Sequence, residues 1–364
     1  MADITEKKTV ADILLDNKMG TPAENIDKVF QTTSVGPLST ALGDSFYGIN
    51  HQQTANAVQI NKDMYGLTFF TRPLCNMTTD NIRAVRKLAP LLTTEPASVQ
   101  RIIRCLLDPR LAKTGINSPF VDNQQAFIPI LTNNLLSMSG WPDVIAPTFT
   151  SQEGVYKEAF SFVDGITDNY GTYDITANFR NIPGDPITLM FYAWLLYSSH
   201  VFQGTMVPYP EYLIQNEIDY NTRIYRLVMD NTKTYVKAIG ACGAGFAVSA
   251  PMGAKFNFES DRPFNSSASD QVTIPLRIMG AEYQDDILIY EFNQTVVFFN
   301  GTMADGKRQN SYVKIPREAL GIFNHRGYAR INPQTYELEW WVDKEEYNFR
   351  LPAFKNLQQL KNGT

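Results

Sequence analysis

Residues 185–202 read DPITLMFYAWLLYSSHVF, and the class of the fold turns on this stretch. Asp185 is an N-cap residue and Pro186 suits the first helical position, where its missing N–H costs nothing. From Ile187 to Phe202 apolar side chains cover most of the helical circumference, the pattern of a helix buried on all sides. The stretch is short for a bilayer span and carries Ser198, Ser199 and His200, so a core helix is expected and no membrane insertion.

Upstream, the periodicity is mostly helical. Asp80 is placed to cap a helix whose Ile82, Val85, Leu88 and Ala89 share a face, kinked or ended by Pro90. A second helix is expected over Pro96–Leu107, striped by Val99, Ile102, Ile103 and Leu106, with Arg101 and Arg104 toward water and Asp108-Pro109 closing it. A third spans Asn123–Met138 and is interrupted by Pro129. Tyr65–Phe70 reads as a strand, and Val155–Val163 with Thr172–Phe179 as a strand pair.

Downstream of Pro210 the period becomes that of strands. Arg223–Met229 alternates, Asp230-Asn231-Thr232-Lys233 supplies turn chemistry, and Thr234–Ile239 returns. Phe246–Ala250, Val272–Met279, Ile287–Phe292, Val296–Phe299, Tyr312–Ile315 and Tyr336–Val342 are further strand candidates. Helices clustered early and strands clustered late define an α+β fold: a helical N-terminal half and a β-rich C-terminal half. The expected division is an extended arm over residues 1–60, a mixed region over 61–210, a β-rich assembly domain over 211–350 and a polar, frayed tail over 351–364. The arm lacks sustained periodicity, and Met1–Ala57 is expected to pack on neighbouring subunits.

Composition narrows the function. Charged residues make up 19% of the 364 and aromatics 12%, against roughly 25% charged in a typical soluble domain. A surface poor in charge and rich in Tyr, Phe, Asn and Gln suits contact with other protein. The net charge of -5 carries no basic block, so no specific nucleic-acid partner is expected. Cys75, Cys105 and Cys242 lack metal-ligand spacing and read as free thiols. The opening MADITEKKTVADILLDN has no apolar signal segment. Sequons at Asn76, Asn265, Asn293, Asn300 and Asn362 are read as a consequence of Asn- and Thr-rich composition.

Catalytic motifs come close and fail. Gly301–Lys307 matches the start of a P-loop, but Arg308 stands where a Ser or Thr would hold magnesium, and a hairpin connection that binds no nucleotide is expected. Gly240–Gly245 lacks dinucleotide-binding spacing and is read as a bulge or close backbone packing. His51, His200 and His325 are far apart. Asp285-Asp286 with Glu282 or Glu291 is a weak cation candidate. Arg72 is placed to lower the pKa of Cys75, whose blander reading is a small buried hydrophobe. No catalytic residue, cofactor or metal is assigned, and the chain is expected not to be an enzyme.

Four stretches carry a resemblance: GLTFFTRPLCNM over 66–77, EIDYNTRIYRLVM over 217–229, the run from Gly243 through Gly253-Ala254-Lys255-Phe256-Asn257, and MGAEYQDDILIYEFN over 279–293. In these the chain resembles virion structural proteins of large tailed bacteriophages. That resemblance implies a subunit of tail, baseplate or neck, assembled in the host bacterial cytoplasm into the virion. Its implied partners are copies of itself in a ring and other virion proteins. The hairpin around Asp230–Lys233 is the expected contact, with Arg223, Tyr225, Arg226, Asp230 and Lys233 as interface residues; the same strands lying inside the subunit's own sheet is the competing placement. Two other readings stand beside assembly: a tail-tip receptor- or carbohydrate-binding module using Trp340-Trp341, and a virion-borne hydrolase.

Overall fold

The computed structural model describes residues 65–165, 171–256, 270–323 and 326–362. The expected N-terminal arm, His51 and His325 lie outside them. In chain order the elements are β1 (Gly66–Phe70), α1 (Thr79–Arg83), a 3-10 turn over Arg86–Leu92, α2 (Val99–Leu107) and a second 3-10 turn over Pro109–Thr114. There follow α3 (Pro129–Asn134), β2 (Leu135–Ser139), β3 (Thr148–Thr150), β4 (Ser161–Val163), β5 (Thr172–Arg180) and α4 (Pro186–Phe202). Next come α5 (Pro210–Gln215), β6 (Ile224–Met229), β7 (Val236–Ala247), β8 (Gln271–Tyr283) and α6 (Asp286–Phe299). The chain continues through α7 (Arg308–Ser311), β9 (Tyr312–Lys314), β10 (Tyr328–Ile331), β11 (Leu338–Asp343) and α8 (Lys344–Asn362). This is an α+β fold.

Two compact units are built from discontinuous segments. Of the described residues, the larger takes those within Thr68–Arg226, Ile239–Arg330 and Glu339–Thr364; the smaller takes Leu227–Ala238, Ile331–Leu338 and the described residues before Thr68.

The main sheet has the order β1-β6-β7-β8-β5-β2. Its spine is the long β8, antiparallel to β5 from Thr172↔Met279 to Arg180↔Gln271 and to β7 from Gly240↔Tyr283 to Ala247↔Leu276. Burial along β5 and β8 alternates residue by residue, the mark of a sheet with one face in a core. That face carries Ile175, Ala177 and Phe179 from β5 and Val272, Ile274, Leu276 and Ile278 from β8, packed with α2 and α4. The helix α4 contributes Ile187, Met190, Phe191, Ala193, Trp194 and Tyr197, each worth on the order of 1.5–3 kcal/mol for the larger apolar side chains when fully buried. As read from the sequence, it is a central core helix that begins at Pro186.

The opposite face is covered as well. Neighbours along a strand point to opposite faces, and while Phe70 and Ile224 join the first core, Phe69 and Tyr225 enter a separate aromatic cluster. Phe292 of α6 sits at its centre, 5.0 Å from Phe127, 5.2 Å from Phe69 and 5.3 Å from Tyr225 between ring centroids. A third cluster joins Ile315, Ala319, Phe323, Val342 and Phe354.

The glycine-rich stretch of β7 keeps continuous register with β8, so close packing and not a bulge accounts for it. A Cβ on Gly245 would stand 2.3 Å from the Ile278 side chain, and one on Gly243 would stand 2.9 Å from the Met279 carbonyl oxygen.

Several expectations are corrected. Residues 287–299, read as two strands, form α6, because Leu288, Ile289, Phe292 and Val296 recur at helical spacing and Asp285 caps the start by accepting from the Ile287 N–H at 3.0 Å. The hairpin expected over Gly301–Lys307 is therefore absent: the segment links α6 to the single turn α7. The expected helix over Asn123–Met138 shrinks to α3, with Pro129 opening it instead of breaking it, and then becomes β2. The segment 155–163 contributes only β4, which pairs with β3, while β5 lies between β8 and β2. The tail is a helix through Asn362, and Phe354 is buried in the third cluster. Arg104 is 2% exposed, not turned to water, because its Nε donates to the Met77 carbonyl at 2.9 Å and its Nη2 to Thr79 Oγ1 at 3.0 Å.

Candidate assembly surface

The main sheet ends in β1 on one side and β2 on the other. The β1 edge is blunted, since the Ile128 N–H donates to the Phe70 carbonyl and the Arg72 N–H to the Ala126 carbonyl, both at 2.9 Å. On its outer side β2 has no paired strand among the described residues. Such an edge offers unpaired backbone donors and acceptors to another chain.

The chain leaves β2 through a point that only glycine serves. Gly140 has φ of 102°, and a Cβ there would stand 2.3 Å from the Asp174 carbonyl oxygen of β5. Beyond it, Trp141 lies 6.1 Å from the Tyr283 ring, and the Tyr283 hydroxyl donates to the Pro142 carbonyl at 2.7 Å. These contacts anchor the root of an excursion over residues 143–165, where every side chain except Ser151 is exposed.

The excursion is a hairpin. Thr148↔Val163, Phe149↔Phe162 and Thr150↔Ser161 pair antiparallel, and the ladder continues through the Ser151 N–H to the Phe160 carbonyl at 2.9 Å. Phe149 and Phe162 approach to 5.3 Å, and Phe160 stacks on Phe162 at 6.1 Å. At the tip Val155 and Tyr156 are 94% and 91% exposed, and along the strands Phe160 is 65% exposed. A two-stranded hairpin without a covering layer is marginal in water, and exposed aromatic surface of this kind makes the hairpin a candidate interaction site.

Each residue expected at the interface has a defined place. Arg223 forms ion pairs with Glu282 at 3.7 Å and Glu291 at 2.5 Å and sits 5.4 Å from the Tyr225 ring centroid. Tyr225 is fully buried in the aromatic cluster, its hydroxyl 3.0 Å from Thr295 Oγ1. Arg226 donates to Thr68 Oγ1 at 3.0 Å, and burial lowers its pKa. Asp230 is buried and closes its turn by accepting from the N–H groups of Thr232, Thr234 and Tyr235 at 3.2, 2.7 and 3.0 Å. Burial alone would raise its pKa; those hydrogen bonds outweigh burial and hold the carboxyl below its ordinary value. Lys233 adopts φ of 58°, with its ammonium 4.3 Å from the Tyr65 ring centroid. The strands β6 and β7 lie inside the sheet, so their ladders are already occupied and only side chains remain for an outside partner. The structure brings Arg223 and Tyr225 together around one pocket, which Arg226, Asp230 and Lys233 do not line.

The chemistry-bearing candidates are tied into the subunit. Arg223 stands between Glu282 and Glu291, and Asp285 is used as a cap. Among the described residues no cluster of His, Cys, Asp and Glu is arranged to hold a metal ion. Burial pushes the Cys75 thiol well above its ordinary value, the reverse of the activation that Arg72 was read to provide. Trp341 is buried with the Arg308 guanidinium 4.5 Å from its ring centroid, so the two adjacent tryptophans do not form one sugar-stacking platform.

Sequence reasoning passed over one polar cluster. Tyr197 donates to Asp219 and Tyr209 donates to Asp108 at 2.8 Å, while Asp108 also accepts from the Met77 N–H at 2.9 Å. Burial pushes the Asp219 carboxyl up to about 6 and raises Asp108 as well. Positions about a hundred residues apart meet there, and no local pattern announces it.

Three comparisons place the chain among known proteins. A family described as "Putative phage tail tube protein" matches residues 5–358. No curated protein sequence matches. Solved structures give slight likenesses: the tube-terminating cap of the anti-feeding prophage, at 16% identity and TM-score 0.27, covers 44% of this chain and 82% of that one. The sheath/tube terminator of an extracellular contractile injection system, at 17% identity and TM-score 0.27, covers 44% and 88%. Nothing about this chain is inferred from likenesses at that level.

Proposed function

Because the chain belongs to this family of phage tail tube proteins and is a structural component of the tail, we propose that it builds the tube by repeating contacts between its own copies. The observation that supports this most is the β3–β4 hairpin, a well-formed element whose aromatic side chains Phe149, Phe160 and Phe162 are left 45%, 65% and 49% exposed among the described residues. Copies related by rotation can bury such a patch heterologously, each hairpin against the next subunit, closing a ring or continuing as a tube. The unpaired β2 edge lies at the root of the same excursion and adds a backbone contact. Arg223, Arg226 and Lys233 are assigned to the rim of the contact, while Tyr225 and Asp230 hold their strand and turn from within.

The test is self-association of the purified chain, followed by sedimentation and electron microscopy of negatively stained samples. Rings or tubes forming from this chain alone are expected. A species that stays monomeric as concentration rises by orders of magnitude refutes the proposal.

A further inference from the structure

The connection from α4 to β6 is fastened by polar contacts over a buried carboxyl. Met206 and Asp219 are buried, but no residue between them is, and Leu213, Ile214 and Ile218 are exposed. At the near end the Val207 N–H donates to Asn81 Oδ1 at 3.0 Å, and Asn76 Nδ2 donates to the Val207 carbonyl at 2.9 Å. Tyr209 donates to Asp108, while Arg110 pairs with Glu211 at 3.0 Å and lies 4.8 and 5.4 Å from the Tyr209 and Tyr212 ring centroids. At the far end the Asp219 carbonyl accepts from the Leu74 N–H at 3.0 Å. A segment with few buried apolar contacts opens at low free-energy cost.

Asp219 is the weak point of this fastening. It is 3% exposed, Tyr197 donates to its Oδ2, and its Oδ1 is buried with no hydrogen-bond partner among the described residues. The titratable groups that face it are Tyr197 of α4, Cys75 after β1, Asp108 at the end of α2, Tyr212 of α5 and its own neighbour Tyr220. None of these is a cation; Arg72, Arg104 and Arg110 act on Asp108. Ionised, Asp219 is a buried charge with one bare oxygen and a second carboxyl nearby, and it gains from water that only an opened segment admits. We infer that residues 207–219 form a pH-dependent flap, fastened while Asp219 is protonated and loosened when it ionises. Burial holds this carboxyl up at about 6, above its ordinary 3.8. A carboxyl raised in this way stabilises the closed form fully below about pH 4, and that stabilisation is lost as pH rises through about 6. Asp108 is raised by burial too and acts in the same direction where Tyr209 meets it.

Hydrogen–deuterium exchange of the full chain, corrected for the intrinsic pH dependence of amide exchange, tests this. The peptides to read cover residues 73–77 and 207–219, the two sides of the contact. Protection roughly tenfold lower at about pH 8 than at about pH 5 is expected, from a carboxyl near its ordinary value when open and near 6 when closed. Asp219→Asn keeps the shape and cannot ionise, so it is expected to lose most of that difference. Tyr197→Phe removes a hydrogen bond that favours the ionised form, so the loosening is expected to move to higher pH. Three results overturn the inference: equal protection at the two pH values in the unaltered chain, a difference that Asp219→Asn keeps in full, or a transition that Tyr197→Phe leaves in place.

Discussion

Replacing residues 148–163 by a short Gly/Ser turn is expected to leave a folded monomer that no longer forms rings or tubes. The hairpin sends no side chain into either of the large apolar clusters of the larger unit. Its hydrogen bonds run mostly within itself, and the anchor at Gly140, Trp141 and Pro142 precedes it. Its removal therefore changes the melting temperature by only a few degrees. Assembly is another matter. Phe149, Phe160 and Phe162, 45%, 65% and 49% exposed, each stand to gain about half of the roughly 1.5–3 kcal/mol that full burial of such a side chain is worth, and each 1.4 kcal/mol is worth about tenfold in affinity. Loss of association by orders of magnitude follows, read by sedimentation at matched concentration. Normal tubes from the hairpin-less chain would show that the contact lies elsewhere.

The second large effect concerns folding. Arg72 is 3% exposed and, among the described residues, has no carboxylate in ion-pair contact; its guanidinium is held by backbone carbonyls. Nε donates to Leu106 at 3.0 Å, Nη2 to Cys105 at 2.6 Å, and Nη1 to Asp122 and Gln125 at 3.0 and 3.2 Å. The Cys105 and Leu106 carbonyls belong to the C-terminal end of α2, the negative end of its dipole. Burial pulls the guanidinium pKa down to about 10, which leaves it charged at neutral pH. Arg72→Met keeps the apolar stem and removes every donor, so four carbonyls lose a donor at once, of which Asp122 alone keeps another in the Gln125 N–H at 3.3 Å. Unpaired buried polar groups cost about 1–3 kcal/mol each before relaxation, and a loss of about 3–5 kcal/mol in urea unfolding is expected, as when one member of a buried polar set is deleted. A loss below about 1 kcal/mol, the scale of an ordinary surface change, would mean that water replaces the guanidinium.

Where the sequence was legible, two signals coincided. The helix α4 was announced by Asp185-Pro186 and an all-round apolar run, and β5 and β8 by alternation that matches one buried face. The helix α6 was misread because Ile, Val and Phe favour strands, although Leu288, Phe292 and Val296 fall four apart behind the cap residue Asp285. Arg72 and Arg104 were illegible for another reason. A charged side chain is placed outside by default, and long-range carbonyls together with the Thr79 hydroxyl, invisible in the local pattern, hold these two inside. The candidate surface was hardest to see. Phe149, Phe160 and Phe162 look like core residues in a sequence, since hydrophobicity says that a side chain is covered and not by which chain. The turn chemistry of Asp230–Lys233 is plain in the sequence, yet the β6 and β7 strands it joins are interior to the sheet.

The most direct measurement is a cryo-EM reconstruction of the tail of the intact particle, with this chain fitted into its density. Copies repeated along the whole length of the tail tube, each with its β3–β4 hairpin seated on the next copy, are the predicted result. Density for the chain at one end of the tail alone, or hairpins that touch no second copy, would contradict the account.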